Sequence, residues 1–142
     1  MKNEIDVRLC FWEIEGLAPE AITEMLGVAP TKVMRQGEPR GPKGTRVWPY
    51  NGWVWEASAD KSVSFEDQCT AVLDLLEAHR DAVKSFCHRC TPELSCALWI
   101  YAENGESTPS VHLNTRYHAL ASEFNLSFDL DLYCMSDGEA QA

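Results

Sequence analysis

Apolar and polar residues alternate strictly at the start of the chain. Ile5, Val7, Leu9 and Phe11 interleave with Asp6, Arg8, Cys10 and Trp12, a period of two that predicts a strand with one buried face. Gly16 ends it. Pro19 then suits a first helical position, where its missing N–H costs nothing. Ile22, Met25 and Leu26 form one apolar stripe, and Gly27 is a natural stop after the last turn. Pro30 forbids a helical continuation, so residues 31–35 predict a second strand, closed by Gly37.

The pattern changes downstream. GEPRGPKGT, residues 37–45, holds three glycines and two prolines and reads as a loop. Residues 46–57 are rich in aromatics around Asn51-Gly52, a turn signal that predicts a hairpin or bent strand with Trp53 and Trp55 on one side and Val54 on the other. Phe65, Cys69, Val72, Leu76, His79, Val83 and Phe86 recur at steps of four and three. That is one continuous helical stripe from Ser64, its cap, to about Cys87. Pro92 stops it.

Leu94, Cys96, Leu98 and Ile100 alternate with Ala97, Trp99 and Tyr101, predicting a strand over 94–101. Asn104-Gly105 begins a turn. Residues 110–115 predict a short strand and 117–124 a short helix. Leu126, Phe128, Leu130 and Leu132 alternate with Ser127, Asp129, Asp131 and Tyr133, a final strand. The polar tail from about residue 136 predicts fraying.

The resulting order, β-α-β-β-α-β-β-α-β, predicts an α+β fold. It has a mostly antiparallel sheet, two main helices on one face, and a ferredoxin-like core with appended strands. One domain spans 1–142, a length that buries a core without staples.

The formal charge of −10 argues against nucleic acid as a partner and favours a basic protein. No apolar run is long enough to span a bilayer and no signal-peptide pattern opens the chain, which predicts a cytoplasmic protein without membrane association. Residues 32–46 run against the overall charge, a local +4. Arg35, Arg40, Lys43 and Arg46 form a candidate anion-binding loop there, weighed against a solvated loop without the glycine spacing of a phosphate loop.

Six cysteines without an export signal predict reduced thiols acting as small hydrophobes. Cys87 and Cys90 have the spacing of a zinc half-site. His79 and Cys96 could complete it, yet His79 lies roughly 12 Å up the helix axis from Cys87. As a redox pair they sit at the wrong helix end, where the dipole opposes a thiolate. No metal and no cofactor is expected. His79 as a general base lacks a placeable partner, so a hydrogen-bonded, half-buried histidine is preferred.

Asp129 and Asp131 point to one side of their strand, about 7 Å apart, with Asp6 and Arg8 available on a neighbour. A cation or acid–base site there competes with a salt-bridged, solvated face. Trp12, Trp99, Tyr101 and Tyr133 all lie opposite the aliphatic strand faces. Such an aromatic face requires cover from the appended hairpin, a second copy or a ligand. Arg8, Trp12, Trp99, Tyr101, Asp129, Asp131 and Tyr133 are therefore the candidate binding set.

ITEMLGVAPT, the following RQGE, the tryptophan hairpin and the closing FDLDLY resemble the bacterial domain-of-unknown-function family 4279. Ile22, Thr23, Leu26, Gly27, Pro30 and Thr31 carry the helix-to-strand match, with Gly37, Asp131 and Tyr133 elsewhere. The resemblance implies a bacterial intracellular origin and an α+β fold. It brings no catalytic residues, since the family has no established activity, and it does not lead one to expect so many cysteines. The expected function is a non-catalytic binding domain: an acidic protein-interaction or immunity-type protein, with a homodimer across the aromatic face if the chain's own elements fail to cover it. The alternative is an enzyme or small-ligand binder using the aromatic and carboxylate sheet face.

Overall fold

The computed structural model describes residues 1–136; the tail expected to fray lies almost wholly outside the described residues. The elements are β1 (Glu4–Ile14), α1 (Pro19–Leu26), β2 (Lys32–Met34), β3 (Asn51–Glu56), α2 (Phe65–Ala78), α3 (Arg80–Phe86), a 3-10 turn (Cys87–Arg89), β4 (Thr91–Tyr101), α4 (Thr115–Phe124) and β5 (Ser127–Met135). The class is α+β. The sheet is mixed and mostly antiparallel, with strand order β2-β3-β1-β4-β5. Only the β4–β5 pair is parallel. Strands β1 to β4 are thus placed as two interleaved β-α-β units place them, and β5 is added outside β4.

The pleat separates two kinds of side chain. Ile5, Val7, Leu9 and Phe11 meet Leu98, Cys96, Leu94 and Pro92 across the β1–β4 ladder. With Trp53 they form the sheet side of the core, and Ile22, Leu26, Val72, Leu76, Val83, Phe86, Leu120 and Phe124 supply the helix side. The Trp53 indole N–H is satisfied inside this layer by Thr23 Oγ1 at 3.0 Å, which ties α1 to β3. Gln68, a buried polar residue without a period to betray it, joins α2 to β1. Its Oε1 accepts from the Val7 N–H at 3.1 Å, and its Nε2 donates to the Ile5 carbonyl at 2.9 Å. These backbone groups lie beyond the last β3 pair, Arg8 with Glu56, and need side-chain partners.

Local signals explain most boundaries. Pro19 opens α1, and Gly27, at φ 67°, closes it with its N–H on the Thr23 carbonyl. Ser64 Oγ accepts from the Asp67 N–H at 3.1 Å at the start of α2, and Asn114 Oδ1 does the same for Tyr117 at 2.8 Å in α4.

Three expectations need correction. The continuous helix over 64–87 breaks at His79, whose backbone leaves helical geometry at φ −124° and ψ 35°. No glycine or proline marks the break. It re-aims Val83 and Phe86 at the sheet, and Phe86 meets Phe11 edge-on at 5.0 Å. Residues 110–115 form no strand; the apolar alternation of Val111 and Leu113 is met by packing against the core, without a ladder. Asn51-Gly52 is no turn but the beginning of β3, and the β2–β3 hairpin closes through residues 35–50. Gly52 stands opposite Met34, whose methyl would lie 2.5 Å from an added Cβ.

Candidate functional site

The face of the sheet turned away from the helices carries the site. Register places Lys32, Val54, Cys10 and Glu93 in one row across β2, β3, β1 and β4, and Arg8, Ser95 and Asp129 in the next. Ala97 and Asp131 follow, then Trp99 and Tyr133. Cys10, Met34 and Val54 form a small buried apolar floor, with Trp12 and Trp48 packed against it.

The floor belongs to a groove of about 320 Å³ lined by Arg8, Trp12, Trp48, Trp99, Tyr133 and their neighbours. Its two walls differ in origin. One is the loop after β2, folded back as a narrow arm by the Pro39–Val47 bridge and by reciprocal backbone bonds between Glu38 or Gly37 and Trp48. Trp48 is held there by two cations, Lys32 at 5.0 Å and Arg40 at 4.7 Å from its ring centre. Tyr50 continues the wall over Trp12, ring centres 6.4 Å apart. The other wall is the Trp99–Tyr133 stack, 5.3 Å apart and 13° from parallel.

The arm therefore covers the Trp12 end of the aromatic face, one of the three covers weighed from the sequence. The Trp99–Tyr133 end lacks this cover, and Tyr133 is 45 % exposed.

Charge divides the open face in the same way. Lys32 and Arg40 stand on the arm side. Glu93, Asp129 and Asp131 stand on the β4–β5 side, and the two aspartates make no ion pair among the described residues. Arg8 is in the middle, its Nε donating to Asp6 Oδ2 at 2.8 Å. Buried Asp6 also accepts from Lys61, at 2.8 Å, and Lys61 pairs with Glu56. Burial raises the Glu93 carboxyl above its usual range; the Trp12 indole N–H, donating at 3.2 Å, works against this, and Asp129 and Asp131 add to it. Burial, with Glu93 next, pushes the Cys10 thiol up to about 12. It stays protonated and serves as floor, not nucleophile.

The match to known sequences covers this whole arrangement. The family described as Domain of unknown function (DUF4279) matches residues 3–135. The chain belongs to the DUF4279 family. No curated protein and no solved structure matches it.

Of the candidate residues, this DUF4279 chain brings Arg8, Trp12, Trp99 and Tyr133 together in the groove and sets Asp129 and Asp131 on the same face beside Ser95 and Ala97. Tyr101 is separate: it is 7 % exposed and borders another depression, with Asn104 and Glu106. The basic loop residues do not act as one set. Arg35 is engaged by Glu20 and Glu38, Arg40 by Trp48, and Lys43 and Arg46 are exposed.

Met34, Trp48, Val54, Lys32 and Glu93 are site residues that pattern reasoning missed. The only hint was Trp48-Pro49-Tyr50, an aromatic pair in a segment otherwise read as loop and hairpin.

The cysteine pair of this DUF4279 chain lies away from the groove, at the C-terminal end of α3. Both thiols donate to carbonyls there, Cys87 to Lys84 and Cys90 to Phe86 and Cys87. Burial pushes Cys90 up to about 12 and raises Cys87. Among the described residues no three histidine, cysteine or acidic side chains gather as metal ligands, and no helix is long and apolar enough to cross a membrane. His79 sits half-buried at the helix break.

Proposed function

We propose that this DUF4279 chain is a non-catalytic binding domain that seats a basic protein partner on the open sheet face. The groove between Trp48 and the Trp99–Tyr133 stack carries this reading. Rigid aromatic walls over an apolar floor give contact area at small entropic cost, as interface centres require. The aspartates beside the exposed stack make no ion pair among the described residues, so an arginine or lysine of the partner gains ring and carboxylate contacts together. The chain's −10 charge adds attraction at longer range.

An immunity-type role in the cytoplasm, masking a basic toxin, is one form of this reading. It requires a basic partner encoded next to this chain. The groove's volume, near the lower end for small-molecule sites, favours a second reading: a compact aromatic or anionic molecule held at Arg8.

Tryptophan fluorescence during titration with arginine-rich peptides separates the two. On the first reading arginine-rich peptides bind and glutamate-rich controls do not, and both Trp99→Ala and Asp131→Asn weaken binding. Binding indifferent to both substitutions overturns it. A thermal shift with small aromatic carboxylates, lost in Arg8→Ala, supports the second.

A further inference from the structure

The two edges of the sheet are built differently. β2 is three residues long, begins with Lys32, and continues into the folded-back arm. Short length and lysine are the usual protections of an edge. β5 has none of the protections by length, proline, lysine or bulge. It runs nine residues in unbroken register with β4, and among the described residues its other side faces no strand.

Helices cover only its start. Phe128 packs on Phe65 and Tyr117, but Leu130 is 43 % and Leu132 56 % exposed on the side where the core should be. Of the large apolar side chains exposed among the described residues, three of five belong to this strand.

We propose that β5 pairs antiparallel with β5 of a second copy, continuing the sheet across a two-fold axis. This rests on the edge and not on the groove reading. Charge selects the register. An axis at Asp131 sets the two Asp131 opposite each other, and an axis at Leu130 sets Asp129 opposite Asp131 twice; directly opposed like charges oppose pairing. An axis at Tyr133 places Leu130 against a residue beyond the end of the strand. An axis at Leu132 avoids all three faults. It sets Leu132 on Leu132, Leu130 on Cys134 and Asp131 on Tyr133, whose hydroxyl can donate to the carboxylate.

The second copy supplies what this strand lacks: partners for its outward backbone groups and apolar cover for its leucines. A basic partner strand would satisfy the aspartates but leave the leucines unmatched. Sheet extension also leaves both grooves open, with the two Trp99–Tyr133 stacks on one continuous surface.

Sedimentation of the full chain tests the proposal. The wild type is expected to be a dimer and Leu132→Lys a monomer with an unchanged far-ultraviolet spectrum, melting where wild type diluted to monomer melts and below the dimer, whose association adds stability. The two Asp131 remain diagonal neighbours about 7–8 Å apart, so added salt should tighten the dimer. In a Cys134→Ser background, mild oxidation should join Leu132→Cys to itself between copies, with the disulfide mapped by peptide mass. Leu130→Cys should not self-join, its two copies lying roughly 13 Å apart along the strand. A wild-type monomer at every concentration overturns the proposal. So does a dimer that survives Leu132→Lys, including one lost in Trp99→Glu, which would place the contact on the open face. Self-joining at 130 and not at 132 overturns the register.

Discussion

β1 and β5 carry the same pattern and meet opposite fates. Ile5, Val7, Leu9 and Phe11 alternate with polar or mixed residues, and so do Phe128, Leu130 and Leu132. In β1 the first set is buried, Leu9 and Phe11 completely. In β5 no residue is fully buried, and every one between Phe128 and Met135, both half-buried, is exposed. Alternation reports which side a residue takes, because the pleat has a period of two. Whether that side is covered depends on where the strand stands in the sheet. β1 is central, between β3 and β4, under the helices. β5 is an edge strand that outruns them.

Truncation should expose this contrast most strongly. Leu9→Ala should cost about 2–5 kcal/mol in chemical denaturation, through lost burial and a residual cavity. Leu132→Ala, measured in protein dilute enough to be monomeric, should stay within about 0.5 kcal/mol. Similar costs at both positions would mean that β5 is covered in the isolated chain.

Gly52→Ala sharpens the comparison on the opposite face. The added Cβ intrudes on the Met34 methyl, which is itself buried, so a loss of about 1–3 kcal/mol is expected. Much of it should return in a Gly52→Ala, Met34→Ala double mutant, where the space is vacated. No coupling between the two would show that the contact does not govern this end of the groove.

Trp48→Ala should have a smaller effect on stability, about 1 kcal/mol, because half-buried stacking and two cation contacts are lost at the surface. The arm should then be cut faster by trypsin near Arg40 and Lys43. An unchanged cleavage rate would mean that Trp48 does not anchor the arm.

Glu93→Gln should have the smallest effect, and one that depends on pH. Burial holds this carboxyl above its ordinary value of 4.5, so the fold prefers its protonated form. Ionisation costs stability as pH rises through and beyond that value. The glutamine variant should therefore melt higher than wild type at pH 7, with the difference vanishing below pH 4.5. A constant difference at both values would assign the effect to packing.

The site was legible in part, and for a definite reason. Arg8, Trp12, Trp99 and Tyr133 were recognisable as one face because residues two apart on a strand share a side. Tyr101 obeys the same parity but lies at the strand's end, where it is buried away from the groove. Trp48 and Met34 reach the groove through a long connection whose path leaves no periodic trace. The helix break at His79 was also hidden, since its stripe continues across the bend and no proline or glycine marks it.

Local chemistry by itself determined the α+β class, the sides of the strands, the cap of α2 and the stop at Gly27. Each rests on a backbone geometry or a hydrogen bond between residues a few positions apart. Tertiary structure alone decided the strand order, the folding of the arm over Trp12, the separation of cations from carboxylates across the open face, and the exposure of Leu130 and Leu132. These depend on which distant segments become neighbours. Every residue carries its preferred side, but its neighbours are chosen only when all the strands compete for places under a limited cover of helices.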